Sequence, residues 1–316
     1  MRIGVINNPL SGGNRAGMGE IRKILAESPE AVHSDVRTPR EAARALAEFA
    51  RRDVDVVAIN GGDGTVHAVL SVLFHRQPFE RPPLLAVLRA GTTSMIAGDV
   101  GLRGPGAQAL RRLLSWARGA GDAVIRPRTV LRVQAADREP LYGMFFGAGA
   151  IHQGIQYYHR TMHPLGLRRE VGQGITLARF LLAAASGKSG YISPEPVAVG
   201  LDDGAPERRD FLLLLVTTLR RLVLGLRPYL DTGPGALHYT AVDARPRHLL
   251  QVVPFLLRGR RSRHGTPENG YESRNVREAR LELAGGFTLD GELYTPEAGS
   301  GPLTVRDGGR ATFLQL

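Results

Sequence analysis

The sequence contains no cysteine. Disulfides and zinc–thiolate sites are therefore excluded, and a reducing cytoplasm is the compartment that fits. Lysine is nearly missing: only Lys23 and Lys188 occur, so the net charge of +11 is carried almost entirely by arginine. Long apolar runs are missing too. The most hydrophobic stretch, residues 211–216, is soon interrupted by Arg220 and Arg221, whereas a membrane span needs about 20 apolar residues. The opening residues MRIGVINNPL lack a basic segment followed by an apolar core, so they read as a strand and not as a secretory leader. Arginine clusters such as residues 258–263 come without a zinc-finger or RNA-binding signature and without interleaved aromatics. Nucleic acid is thus not an expected partner. A solvated basic surface, or reversible peripheral attachment to an anionic membrane surface, explains the charge better.

A length of 316 residues suits two domains. The first hundred residues alternate strand and helix signals. Residues 2–6 form a short apolar strand, 11–17 a Gly-rich turn and 18–27 a helix. Thr38-Pro39-Arg40-Glu41 has the pattern of a helix start, with threonine as cap and proline at the first position. Residues 54–59 are β-branched and continuous, as in a strand buried on both faces. Residues 84–88 repeat that pattern, and 108–118 are helical. This alternation predicts an α/β domain with a parallel sheet. After about residue 121 the pattern changes to shorter strands, at 130–134, 141–146, 197–201, 211–217 and 279–283. A mostly antiparallel second domain is expected there, with a helical excursion near 152–190 whose helix covers 174–185. Residues 264–275 are polar and contain Gly and Pro, as in an exposed loop.

Four segments carry chemistry. Asn8-Pro9-Leu10-Ser11-Gly12-Gly13 lies between a strand and a helix, where small residues let backbone N–H groups approach phosphate oxygens. It is no Walker A loop, because no Gly-Lys-Ser/Thr follows, and a plain tight turn explains it equally well. Asn60-Gly61-Gly62-Asp63-Gly64-Thr65 also joins a buried strand to a helix, the place where open parallel sheets bind ligands. Asp63 could hold, through water, a Mg²⁺ bridging phosphates, and Thr65 could bond a phosphate or cap the helix. Helix capping alone accounts for one polar residue there, not for the whole run. Gly91-Thr92-Thr93-Ser94 follows the next buried strand. Finally, Asp290-Gly291-Glu292 sets two carboxylates around a glycine. Such a pair could divide proton acceptance and charge organisation in phosphoryl transfer to an alcohol; the same three residues also suit a hairpin turn.

In this order, the four segments resemble the diacylglycerol kinase catalytic family, which includes bacterial lipid kinases and the sphingosine and ceramide kinases. The GGDGT run is shared with NAD kinases and phosphofructokinases, and the late Asp-Gly-Glu points to the lipid kinases. The resemblance implies a Rossmann-like domain over 1–125, completed by a returning C-terminal segment 303–316, and a β-sandwich domain over 126–302, with ATP in the cleft between them. It implies nucleotide contacts from Asn8, Ser11, Thr38, Gly62, Asp63, Gly64, Thr65 and Thr92, with Gly12, Gly61 and Gly91 in the same turns. Glu292 would be the general base on a lipid hydroxyl. Asp290 and Asp63 would serve catalysis, Asp63 by holding Mg²⁺ and Asp290 by positioning Mg²⁺ or the acceptor.

The sequence departs from the family at Ser94 and Met95, where Asn-Asp is common. Residues 227–237 match poorly a stretch that carries a structural Mg²⁺ in some members, so no structural metal is assigned. His152, His159 and His163 could line an acceptor pocket or simply pack. Two rivals stay open, a small-molecule kinase of the NAD kinase type and a nucleotide-binding, membrane-docking pseudokinase. Sheet edges of the second domain could pair two chains into a homodimer.

Overall fold

The computed structural model describes residues 1–91, 94–136, 138–157, 194–297 and 301–316. The chain divides into two compact units. The first comprises Met1–Val130, Arg221–Val223 and Gly309–Leu316, and the second Leu131–Arg220 and Leu224–Gly308.

In the first unit, strands β1 (Ile3–Asn7), β2 (Val32–Asp35), β3 (Val56–Gly61) and β4 (Leu84–Arg89) form a parallel sheet in the order β2-β1-β3-β4. The end of the last strand, β15 (Leu303–Gln315), continues it through a parallel pairing of Phe313 with Leu85. Helices α1 (Asn14–Ala26), α2 (Pro39–Arg51), α3 (Asp63–His75), α4 (Met95–Val100) and α5 (Gly106–Ala117) connect the strands. The residues of β1 and β3 are buried on both faces, which explains their unbroken apolar runs. Ile3 and Val5 share a core with Ile21, Ile24, Leu110 and Leu113, so α1 and α5 cover that face. Gly4 points the other way, where a Cβ would lie 2.5 Å from the Phe49 ring of α2. Only glycine lets this helix seat so close.

Helix α1 begins at Asn14 rather than after the glycine-rich run, so Gly17 and Gly19 lie inside it. The N–H of Gly13 is tied to Ala90 O at 2.9 Å, which starts the helix early. The expected cap at Thr38 is present: its Oγ1 accepts the Glu41 N–H at 3.2 Å, while Glu41 Oε2 accepts the Arg37 N–H at 2.6 Å.

The second unit is antiparallel. Its strands are β6 (Leu141–Gly143), β7 (Phe145–Gly149), β8 (Glu195–Leu201), β9 (Glu207–Thr217), β10 (Leu237–Asp243), β11 (Tyr271–Val276), β12 (Glu278–Leu283), β13 (Phe287–Leu289) and β14 (Glu292–Tyr294), joined by parts of β5 (Val124–Gln134) and β15. The long strand β9 pairs with β8 through Glu207–Phe211, and with β7 and β10 through its later residues. Side chains from these strands meet in one core that includes Leu131, Phe146, Phe211, Tyr239, Leu281 and Val305.

The loop expected at 264–275 is corrected in its second half. Residues 271–275 belong to β11, which pairs with β10, a strand the hydrophobic pattern had not revealed. The polar side chains of β11 have partners inside the unit: Glu272 receives Arg209 at 3.0 Å, and Asn275 donates to Asp231 at 2.7 Å. Polarity there marks partnered side chains, some of them buried, and not a loop. Strand β5 starts at Val124, earlier than expected, because Pro127 sits in its exposed first half, where a missing N–H is tolerated. The helix expected over 174–185 lies outside the described residues. Among the described residues no helix is long and apolar enough to cross a membrane.

Candidate active site

Three turns meet at the carboxyl edge of the parallel sheet. Strands β1 and β3 end side by side at Asn7 and Asn60, both fully buried, and Asn60 Nδ2 donates to Asn7 Oδ1 at 3.0 Å. The first and second turns are then joined repeatedly. Asn8 N–H donates to Asn60 O at 2.9 Å. The Asn8 amide donates to Thr65 Oγ1 at 2.8 Å, and Gly62 N–H donates to Ser11 Oγ at 3.1 Å. Buried Asn14 braces both turns by donating to Asn8 O at 2.8 Å and to Asn60 O at 3.0 Å.

The third turn joins through backbone and through Asp63. A Cβ on Gly91 would lie 2.6 Å from the Gly62 Cα, and one on Gly61 would lie 2.5 Å from the Thr65 side chain. These two glycines permit contacts that no other residue would. The carboxylate of Asp63 accepts the N–H of Met95 at 3.0 Å and that of Ile96 at 2.9 Å. It thereby caps α4, whose own N-cap, Ser94, is left-handed at φ 45° and offers no cap bond. Ser94 Oγ instead donates to Gly91 O at 3.0 Å. The departures at Ser94 and Met95 thus keep a defined structural role: Met95 gives Asp63 a backbone N–H, and Ser94 ties its hydroxyl to Gly91. Helices α1 and α3 start at Gly13 and Gly62 with no side-chain cap. Uncapped helix N-termini on one sheet edge, walled by glycine, suit an anion such as a phosphate.

Of the nucleotide positions expected from sequence, Asn8, Ser11, Gly61, Gly62, Asp63, Thr65 and Gly91 belong to this cluster. Gly12 lies in the first turn and Gly64 in the first turn of α3. Thr38 spends its hydroxyl on the α2 cap, not on the three turns. Thr92 lies outside the described residues, as do Thr93, His159 and His163. Sequence reading missed Asn7 and Asn14, and placed Asn60 in the second turn without giving it a role. The signal available was an asparagine closing both β1 and β3 at the same level.

The carboxylates of the second unit face different ways. Asp290 and Gly291, at φ 52° and 92°, form the turn of the β13–β14 hairpin, where Leu289 pairs with Glu292. Two positive φ values in sequence match the type I′ turn that the Asp-Gly pair favours. Asp290 is 2% exposed. Its carboxylate accepts the Met144 N–H on both oxygens, at 3.0 and 3.1 Å, and the Phe145 N–H at 2.9 Å. The space it fills is that of a side chain on Gly143. Glu292 projects into solvent. Phe146, Phe287 and Tyr294 stack at successive centroid distances of 5.2 Å and stiffen the hairpin. Burial, with Glu292 and Asp290 adding to it, pushes the Tyr294 phenol up to about 12. Beside the hairpin an open cleft of about 440 Å³ is lined by Val133, Leu141, Phe287, Tyr294 and Leu303, with Arg138, Glu139 and Glu297 also on its wall.

The carboxylates expected to hold Mg²⁺ are both engaged with backbone N–H groups. Among the described residues no cluster of three metal-ligating side chains occurs. The donor set does not fit direct ligation by Asp63 and Asp290. His152 is buried, and a side chain on Gly286 would strike its ring. Burial holds its imidazole below the ordinary value, against an upward pull from Glu195. It packs.

Residues 2–123 match the family model of the diacylglycerol kinase catalytic domain. A search of curated proteins finds no significant match. Solved structures are similar over almost the whole chain. One, described as a diacylglycerol kinase from Bacillus anthracis str. Sterne, has 16% identity and a TM-score of 0.62, covering 99% of this chain and 96% of its own. Another from that organism, described as a candidate diacylglycerol kinase, has 18% identity and a TM-score of 0.67 with the same coverage. At these identities the likeness establishes the fold alone: parallel strands followed by antiparallel ones in a two-domain architecture.

Proposed function

We propose, from a chain whose residues 2–123 match the diacylglycerol kinase catalytic domain, that it transfers the γ-phosphoryl group of ATP to a lipid hydroxyl. The observation that carries this reading is the knitting of three glycine-bearing turns into one cluster at the carboxyl edge of the sheet. The phosphates of ATP would lie over these turns, against the N-termini of α1 and α3. Asp63 acts by holding α4 and the third turn in register with the second.

Glu292 is the proposed general base. It takes the proton of the acceptor hydroxyl as that oxygen bonds to the γ-phosphorus and the bond to ADP breaks. Asp290 positions it by pinning the hairpin turn to the Met144 and Phe145 backbone. The open apolar cleft beside the hairpin supports a lipid acceptor over a nucleotide one. Positioning and charge compensation supply most of the rate in such transfers.

The test is transfer of label from γ-labelled ATP to a total lipid extract and, separately, to NAD. Label in lipid is expected. Glu292→Gln should lower turnover at least about 100-fold, the scale of general base catalysis, with nucleotide affinity unchanged by calorimetry. Label in NAD alone, or full turnover in the variant, would overturn the assignment.

A further inference from the structure

The second unit carries a basic and apolar face that the proposed phosphoryl transfer does not use. The helix Leu249–Leu256 buries Leu249 and Val252 against Leu212, Val242 and Tyr271, with Val253 and Leu256 partly covered. These inward positions follow helical spacing. The outward side is largely apolar as well: Leu250 is 70% exposed and Phe255 47% exposed, with Pro254 and Gln251 between them in solvent. Exposed large side chains grouped in this way call for an explanation.

The flanks of the helix are cationic. Arg245, Arg247, Arg258, Arg260, Arg261 and Arg263 are all exposed, and no Asp or Glu occurs between Asp243 and Glu268. Ion pairs among the described residues use other arginines, such as Arg209 with Glu272 and Arg277 with Asp203. The platform is held firmly. Arg247 N–H donates to Asn269 O at 2.9 Å, Tyr271 Oη donates to Arg247 O at 2.8 Å, and Arg227 N–H donates to Leu257 O at 2.9 Å.

We propose that this face docks the protein on an anionic lipid bilayer, with Leu250 and Phe255 entering the interface and the flanking arginines on the lipid headgroups. Charge complementarity selects that occupant. A nucleic acid would satisfy the arginines but leave Leu250 in water. A second copy placed isologously would set arginines against arginines. A bilayer with anionic headgroups satisfies both features at once. The proposal adds a partner surface to the kinase reading without depending on it, because binding to vesicles is measured with no nucleotide present.

The experiment is co-sedimentation of the full chain with phosphatidylcholine vesicles containing about one-third phosphatidylglycerol, a composition that creates a negative surface potential. Binding is expected to these vesicles and not to pure phosphatidylcholine, and to weaken in high salt. The combined Arg258→Gln, Arg260→Gln, Arg261→Gln and Arg263→Gln variant should lose on the order of fivefold in partitioning per arginine. Leu250→Ser with Phe255→Ser should lose at least about tenfold with the melting temperature nearly unchanged, since the exposed parts of both side chains leave water only on docking. A matched variant of exposed arginines elsewhere, Arg40→Gln, Arg44→Gln, Arg76→Gln and Arg81→Gln, should bind nearly as the parent. Equal losses in both arginine sets would overturn the proposal. So would full binding by the Leu250/Phe255 variant, or duplex DNA binding at physiological salt without vesicle binding.

Discussion

Replacing Asp290 asks whether the hairpin depends on its buried carboxylate as strongly as the geometry requires. Two backbone N–H groups, those of Met144 and Phe145, end on this one side chain. Hydrogen bonds to a charged acceptor contribute about 1.5–3 kcal/mol each, so Asp290→Ala should cost about 3–6 kcal/mol for the two amides it orphans. The backbone adds to this, because φ at this residue is 52° and alanine pays about 1–2 kcal/mol there. Asp290→Asn tolerates that φ and keeps one acceptor oxygen, so its cost should be smaller, about 1–3 kcal/mol. Asp290→Gly removes the φ penalty but not the orphaned amides and should fall between them. Urea unfolding midpoints should therefore decrease in the order parent, Asn, Gly, Ala. Hydrogen exchange at Met144 and Phe145 should accelerate in the same order. Glu292→Gln, at an exposed position, should leave both measurements unchanged while turnover falls. If Asp290→Asn were as stable as the parent with both amides equally protected, the positioning role would be refuted.

Two other perturbations probe different parts of the molecule. Gly91→Ala places a Cβ 2.6 Å from the Gly62 Cα; the second and third turns must separate, and nucleotide affinity by calorimetry should fall by at least about tenfold, as positioning losses near 1 Å commonly do. An affinity equal to the parent would show that the two turns do not act together. His238 stacks on Tyr229 at 3.9 Å and meets Asn275 Oδ1 at 2.7 Å. Burial holds its imidazole below the ordinary 6.5, with Asn275 and Asp231 pulling the other way. The unfolded chain therefore takes up this proton first. The stability it contributes is present above 6.5 and is lost as pH falls toward the folded value. His152 shifts in the same direction, so His238→Gln should shallow the acid decline in melting temperature without removing it. An unchanged slope would refute the assignment.

What could be read from the sequence depended on how local the cause was. The Thr38 cap and the apolar runs of β3 and β4 are written in consecutive residues, so these elements appear close to where the pattern put them, although β3 runs two residues later than expected, over Val56–Gly61, and α1 starts at Asn14, inside the expected first turn. The direction of Asp290 was not legible. Its spacing from Glu292 suggests two carboxylates facing one substrate, yet the intervening left-handed turn breaks strand alternation and sends one of them inward. Its acceptor role is defined by amides far away in sequence, at Met144 and Phe145. Asp63 is similar: its partners lie in α4, beyond the third turn. Strand β11 was hidden for the same reason. Its polar residues are balanced by Arg209 and Asp231, which no window around residue 271 contains.

The placement of the last strand bears on how the chain is made. Leu314 lies in the core of the first unit and Phe313 pairs with β4, but residues 131–308 must be translated before either exists. At ~5–20 residues per second, that interval is on the order of ten to forty seconds. Throughout it, β4 emerges into the cell with one edge unpaired, in a chain already able to form most of its parallel sheet. An open parallel edge is a site for wrong partners. The parallel sheet, translated before the antiparallel unit, is thus closed after it, and its exposure to misassembly is set by the length of everything in between.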